Sequence, residues 1–347
     1  MKLNEILRKN ILSLQPYSCA RDEFKGEASV YLDANESPFN NDVNRYPDPL
    51  QLKLKKRISE LKNVPVDNIF LGNGSDEAID LLYRAFCEPN VDNVVAMEPS
   101  YGMYKVSAAI NDIDYRKVLL NEKFDIDAYK LIDASNIHTK IIWLCSPNNP
   151  TGNKLSRAEI IKTLQWFRGI VVVDEAYIDF SAEDSLLSSL SEYTNLVVLQ
   201  TLSKAWGQAA IRLGMAFASN EIIDVLNKIK YPYNINILTQ RHALKVLMDT
   251  ETLNKHVQII LAERNTLCKA LSKIDMVKEI YKTDANFVLV RVADANMLYN
   301  WLVSSSIIVR NRSNIALCEG CLRITVGTAE DNSILLQALS QFSKVLK

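Results

Sequence analysis

Two hydrophobic periods take turns along the middle of the chain. Short apolar runs rich in Val and Ile occur at Ile69–Leu71, Val94–Met97, Ile141–Cys145, Ile170–Val173, Leu196–Leu199 and Leu213–Phe217. Turn residues follow each run, and helical periodicity then fills Asp76–Phe86, Ser156–Phe167 and Glu221–Ile229. A short unbroken apolar run bounded by turn residues reads as a strand covered on both faces, whereas a half-exposed strand would alternate. Alternation of such strands with helices predicts an α/β fold, with a mostly parallel central sheet flanked by helices.

The two ends read differently. Leu3, Ile6, Leu7, Ile11, Leu12 and Leu14 share one face of a predicted N-terminal helix. Extended chain with turn signals follows (PYS, DANESPFN, RYPDPL), then a helix from Leu50 to about Leu61. After Pro232 a long helical stretch, Leu238–Leu271, leads to an extended run at Asn286–Val292 and a helix near Ala295–Val303. Strands at Ile307–Asn311 and Leu322–Val326 and a last helix, Ala329–Val345, complete the pattern. The expectation is a large domain over residues 45–235 and a smaller α+β domain built from 236–347 together with the arm 1–44.

Composition narrows the class. At 347 residues, 48% hydrophobic and 23% charged, the chain has material for a sizeable core. Its 40 Lys and Arg are offset by 41 Asp and Glu, which argues against an electrostatic grip on nucleic acid. No apolar run approaches the roughly 18 residues of a membrane span, and the start lacks the continuous apolar core of a signal peptide. Six scattered cysteines form no disulfide framework and fit a reducing cytoplasm. His138, His242 and His256 stand at no metal-ligand spacing, so no metal is expected. Cys318-Glu319-Gly320-Cys321 lacks the second pair of a zinc site and reads as a hairpin turn with two ordinary thiols.

The chemistry follows the strands, because parallel sheets place their sites beyond the strands' carboxyl ends. Gly74-Ser75-Asp76 opens a helix after the first run, where backbone N–H groups suit an anion; a plain helix start capped by Ser75 is the simpler alternative. The acids Asp76 and Glu77 must then turn away from that anion. Tyr101 follows the second run and suits stacking on a flat ring, or ordinary packing. Asn149 sits in the rigid turn Ser146-Pro147-Asn148-Asn149-Pro150-Thr151-Gly152. Asp174 and Tyr177 follow Ile170–Val173, where a carboxylate is half buried and needs a cationic partner, a salt bridge or a helix to cap. Thr201, Ser203 and Lys204 close the fifth run, with Arg212 eight residues after the lysine; each alone reads as a surface group.

One ligand explains all these ends together: a flat, cationic heteroaromatic aldehyde bearing a phosphate, which is pyridoxal 5'-phosphate. Lys204 is the amine for the aldehyde, its proton loosened by desolvation and neighbouring cations. Asp174 pairs with the ring nitrogen. Asn149 and Tyr177 hydrogen-bond the phenolic oxygen, and Tyr101 stacks on the ring. The phosphate takes the start at Gly74, Ser75 and Asp76, the hydroxyls of Thr201 and Ser203, and Arg212.

The ordered motifs LDANESP, RYPD, GNGSDE, PSYGMY, SPNNPTG, VVDEAYIDF, TLSKAWGQAAIRLG, TDANFVLV, IIVRNR and LRITVGT span nearly the whole chain. They resemble the fold-type I, class I/II pyridoxal-phosphate aminotransferases, and within these the subfamily acting on L-histidinol phosphate. The resemblance implies ping-pong transamination between that phosphorylated amino alcohol and glutamate or 2-oxoglutarate. It also implies a cytoplasmic homodimer with shared active sites. Tyr46 of RYPD then reaches the partner subunit's cofactor phosphate. Tyr17 and Asn35 line the substrate pocket, Arg323 binds the substrate anion, and Arg310 helps hold the substrate phosphate. The chain departs from the family pattern at Ser37, Gln208 and Ala210. Other readings on the same scaffold are threonine-phosphate decarboxylation, aromatic amino acid transamination and a non-catalytic cofactor-binding regulator.

Overall fold

The computed structural model describes residues 3–17 and 28–345. Two short helices, α1 (Leu3–Ile6) and α2 (Lys9–Ser13), precede α3 (Leu52–Lys62). The large unit then runs β1 (Ile69–Asn73), α4 (Ser75–Phe86), β2 (Asn93–Glu98), α5 (Met103–Ile110), β3 (Asp114–Leu119), α6 (Ala128–Asp133), β4 (Thr139–Cys145), α7 (Arg157–Trp166) and β5 (Ile170–Asp174). It closes with β6 (Leu196–Thr201), β7 (Leu213–Phe217) and α8 (Asn220–Ile229). Helices α9 (Ile237–Leu247) and α10 (Thr250–Leu271) lead to β8 (Val277–Ile280), β9 (Phe287–Val292), α11 (Ala295–Ser304), β10 (Arg310–Asn311), β11 (Cys321–Thr325) and α12 (Ala329–Val345).

All six expected strands of the large unit are present in a seven-stranded sheet ordered β1-β7-β6-β5-β4-β2-β3. β2 through β6 pair in parallel, while β7 runs antiparallel to both β1 and β6. The five residues of β5 are all buried, as a central strand covered on both faces requires. The seventh strand, β3, was not expected. It lies at the sheet edge, where its polar sequence DYRKVL leaves it partly exposed and without an apolar run to announce it.

The smaller unit is a four-stranded antiparallel sheet, β10-β11-β9-β8, with its own core of Leu267, Val288, Val290, Leu298, Leu302, Leu322 and Ile324. The helical stretch expected over Leu238–Leu271 is two helices, because Asp249 caps α10 by accepting the Thr252 N–H. Only Arg310–Asn311 of the expected strand Ile307–Asn311 enters the ladder.

The N-terminal helices rest on the large unit. Leu3, Ile6, Leu7 and Ile11 pack against its core, and the Arg8 N–H donates to the Ala85 carbonyl at the end of α4. The single expected helix breaks at Arg8, whose extended backbone (ψ 139°) lets that bond form. Ala243 and Leu247 of α9 join the same core.

Candidate active site

The antiparallel strand β7 assembles the site. Because it runs against its neighbours, its first residues meet the carboxyl ends of β1 and β6, with Leu213 opposite Asn73 and Gly214 opposite Thr201. Arg212, just before β7, thus arrives beside Gly74, and the Gly74 N–H donates to the Arg212 carbonyl at 2.7 Å. Gly74 has φ +74°, and a Cβ there would stand 2.7 Å from Arg212 Nη2, so glycine is what lets the guanidinium lie against the turn.

A cavity of about 550 Å³ opens here. The cofactor-type residues Gly74, Ser75, Asp76, Tyr101, Asn149, Asp174, Tyr177, Thr201, Ser203, Lys204 and Arg212 all line it, as do Arg310 and Arg323. The N-cap of helix α4 is Gly74, not Ser75, and it supplies no side-chain cap, so the first N–H groups have no hydroxyl or carboxylate closing them off. Glu77 turns away, accepting from the Asn73 N–H and from Asn234. Asp76 does not: it stays in the cavity wall, 3.5 Å from Arg212 and accepting the Tyr101 hydroxyl at 3.2 Å. The guanidinium offsets its charge.

Asp174 ends β5 and lies opposite Cys145 and Leu199. It is buried apart from a small edge on the cavity, and burial raises its pKa from 3.8 to about 6 despite two bonds to its oxygens. The Ala176 N–H donates to Oδ1 at 3.0 Å, and the Tyr104 hydroxyl donates to Oδ2 at 2.7 Å. Tyr104 was not foreseen. Its ring stacks on Trp143 with centroids 4.9 Å apart, and its carbonyl accepts the Tyr83 hydroxyl at 2.8 Å. The signal was its place in PSYGMY, three residues beyond Tyr101, which brings the two rings within 5.6 Å.

On the other wall the Asn149 amide donates to the Tyr177 hydroxyl at 3.3 Å, while its Oδ1 accepts from Arg323 Nη1. The turn is held by Asn148, which donates to the Pro99 carbonyl and to Thr151. The Lys204 amine stands 5.5 Å from the Tyr177 ring centre. It opens to solvent through the cavity mouth, yet crowding by protein atoms and the charges of Arg323 and Arg212 lower its pKa, against the pull of Asp174. Arg323 itself packs over Phe287.

Three expected site residues lie elsewhere in their own chain. Tyr17 lines a cleft with Arg8 and Lys230, 73% exposed. Asn35 and Tyr46 line another cleft, where Tyr46 stacks on Tyr233 at 4.4 Å. Gln208 bonds His242 and the Trp206 carbonyl, away from the cavity lining. Cys19 falls outside the described residues.

A sheet whose strand ends gather a lysine, a buried aspartate and an arginine around one cavity is the arrangement of a pyridoxal-phosphate enzyme, and the model of aminotransferase class I and II matches residues 26–339. The chain belongs to that family, which depends on pyridoxal 5'-phosphate. More particularly, it is 59% identical to the histidinol-phosphate aminotransferase of Parabacteroides distasonis, over 97% of this chain and 98% of that one. The crystal structure of histidinol-phosphate aminotransferase from Clostridium acetobutylicum superposes with a TM-score of 0.81 at 25% identity, covering 88% of this chain and 92% of that one. The fold is also that of the Sinorhizobium meliloti histidinol-phosphate aminotransferase, solved in complex with pyridoxal-5'-phosphate (TM-score 0.81, 22% identity, 90% of each chain). Among the described residues no helix is long and apolar enough to cross a membrane.

Proposed function

We propose that the chain exchanges an amino group between L-histidinol phosphate and 2-oxoglutarate, giving imidazole acetol phosphate and L-glutamate, as a cytoplasmic step of histidine biosynthesis. The observation that carries this reading is the meeting of Lys204 and Asp174 on one cavity whose far wall is arginine-rich.

The cavity fits the family's cofactor in shape and charge. The uncapped start of α4, the Thr201 and Ser203 hydroxyls (2.9 Å apart) and Arg212 make a phosphate cradle. Asp174, largely buried in the cavity wall, would suit a cationic ring nitrogen, and such a partner would draw its pKa back down. Asn149 and Tyr177 would hydrogen-bond the phenolic oxygen, and Tyr101 would stack on the ring face. When bound, pyridoxal phosphate supplies an electron sink for the pair left on the substrate carbon. Lys204 Nζ, its pKa lowered, would carry the proton from that carbon to the cofactor's former aldehyde carbon within one half-reaction, and in the opposite direction in the other. Asp174 Oδ would hold the ring-nitrogen proton in place. Arg323 and Arg310 receive the substrates' anionic groups, orienting the reacting carbon toward Lys204.

The active form in this reading is a homodimer. Tyr46, Tyr17 and Asn35 reach the partner subunit's cavity, which accounts for their absence from their own. Exposed Leu32, Phe39 and Val30 on the same segment give that contact an apolar surface.

Incubating the holoenzyme with L-histidinol phosphate and 2-oxoglutarate tests the proposal. Glutamate should form with wild type and be lost with Lys204→Ala. Release of carbon dioxide from phosphothreonine instead would make the chain a decarboxylase, and cofactor binding without transfer from any amino donor would make it a regulator.

A further inference from the structure

Two arginines of the C-terminal strands already carry substrate roles; the fold delivers a third. β10 and β11 pair with Arg310 opposite Arg323 and Asn311 opposite Leu322, and the Arg312 N–H extends the ladder to the Cys321 carbonyl at 2.9 Å. Side chains alternate across a sheet. Leu322 and Ile324 are buried in the core of the smaller unit, so Arg323 falls on the opposite face, together with Arg310 and Arg312. All three line the cavity.

The acids of the cavity wall are spoken for. Asp76 lies 3.5 Å from Arg212, and Asp174 is bonded to Tyr104 and the Ala176 backbone. Arg312 makes no ion pair among the described residues, and its Nε is shut from solvent without a hydrogen-bond partner. Arg323 Nε is in the same state. Burial and the neighbouring charges of Arg323 and Arg310 press the Arg312 pKa down. A half-buried guanidinium beside two others is costly unless an anion joins them.

We infer that Arg312 determines specificity by receiving the phosphate dianion of the phosphorylated substrate, completing with Arg310 and Arg323 a three-guanidinium receptor. The inference rests on the transaminase reading above and names a recognition residue within it. A phosphate monoester carries about −1.5 to −2 charges near pH 7 and offers three acceptor oxygens. A carboxylate offers one charge and two oxygens, which one guanidinium fork satisfies. The third arginine therefore has its full partner only when phosphate is present, and its loss bears unequally on the two substrates.

The test compares the two half-reactions of Arg312→Gln holoenzyme in single-turnover experiments. The apparent affinity for histidinol phosphate should fall roughly ten- to a hundred-fold, the weight of a charge-assisted hydrogen bond, with glutamate changed by less than about threefold. Inorganic phosphate, titrated calorimetrically as a probe independent of turnover, should bind correspondingly more weakly. Arg312→Lys keeps a cation without the fork and should fall between. Equal losses for both substrates, or an unchanged phosphate affinity, would overturn the inference. Wild type that ignores histidinol phosphate yet transaminates other donors would instead overturn the substrate reading on which it stands.

Discussion

The Tyr104 phenol donates a 2.7 Å hydrogen bond to Asp174 Oδ2 from within the core, with no water able to replace it. That bond favours the ionised carboxylate, which burial alone disfavours. Tyr104→Phe removes it with almost no change of shape. A hydrogen bond to a charged group contributes roughly 1.5–3 kcal/mol, so cofactor affinity should drop about tenfold or more. Titration of the apoenzyme with pyridoxal phosphate measures this; an unchanged affinity would show that Ala176 alone orients Asp174.

Asp174 also sets a pH dependence in the cofactor-free protein. Its folded pKa, about 6, lies above the ordinary 3.8, so the folded state holds the proton more tightly. Stability from this group is present below pH 4 and declines as pH rises to about 6. Asp174→Asn removes the charge and should remain relatively more stable than wild type above pH 6, the difference shrinking toward pH 4. Denaturant unfolding of both apoproteins across that window checks it. A difference independent of pH would mean the carboxyl is not protonated in the folded apoprotein.

Gly74 occupies φ +74°, ψ 165°, a region essentially reserved for glycine. Gly74→Ala should cost about 1–3 kcal/mol of stability and also displace Arg212 from the phosphate cradle. Thermal unfolding and cofactor titration should therefore both worsen. Loss of stability with cofactor affinity intact would separate Arg212 from phosphate binding.

Arg323 joins the smaller unit to the larger through Asn149 Oδ1. Arg323→Ala should raise KM for both substrates at least tenfold while altering cofactor affinity far less, because its guanidinium faces substrate anions. Parallel loss of substrate and cofactor binding would instead mark it as a support for Asn149.

Continuous apolar runs such as Ile170–Val173 announced the central strands, since a strand buried on both faces has no room for polar side chains. Two edge strands escaped: β3 and β8 are half exposed, and their mixed sequences carry no such signature. Lys204, Asp174 and Asn149 were legible because each comes directly after an apolar run or the turn that follows it, and Arg212 because it stands eight residues after the lysine. Arg312 was within reach, two residues from Arg310 in an extended run, but its face could be known only once Leu322 was seen buried in the smaller core. Local periodicity and turn chemistry are properties of neighbouring residues, and these the chain spells out. Which surface the N-terminal helices cover, that Tyr104 meets Asp174 across 70 residues, and that three guanidiniums converge without a carboxylate are outcomes of strand order and register. Those contacts join segments far apart in the chain, and only the packed tertiary structure brings them into range.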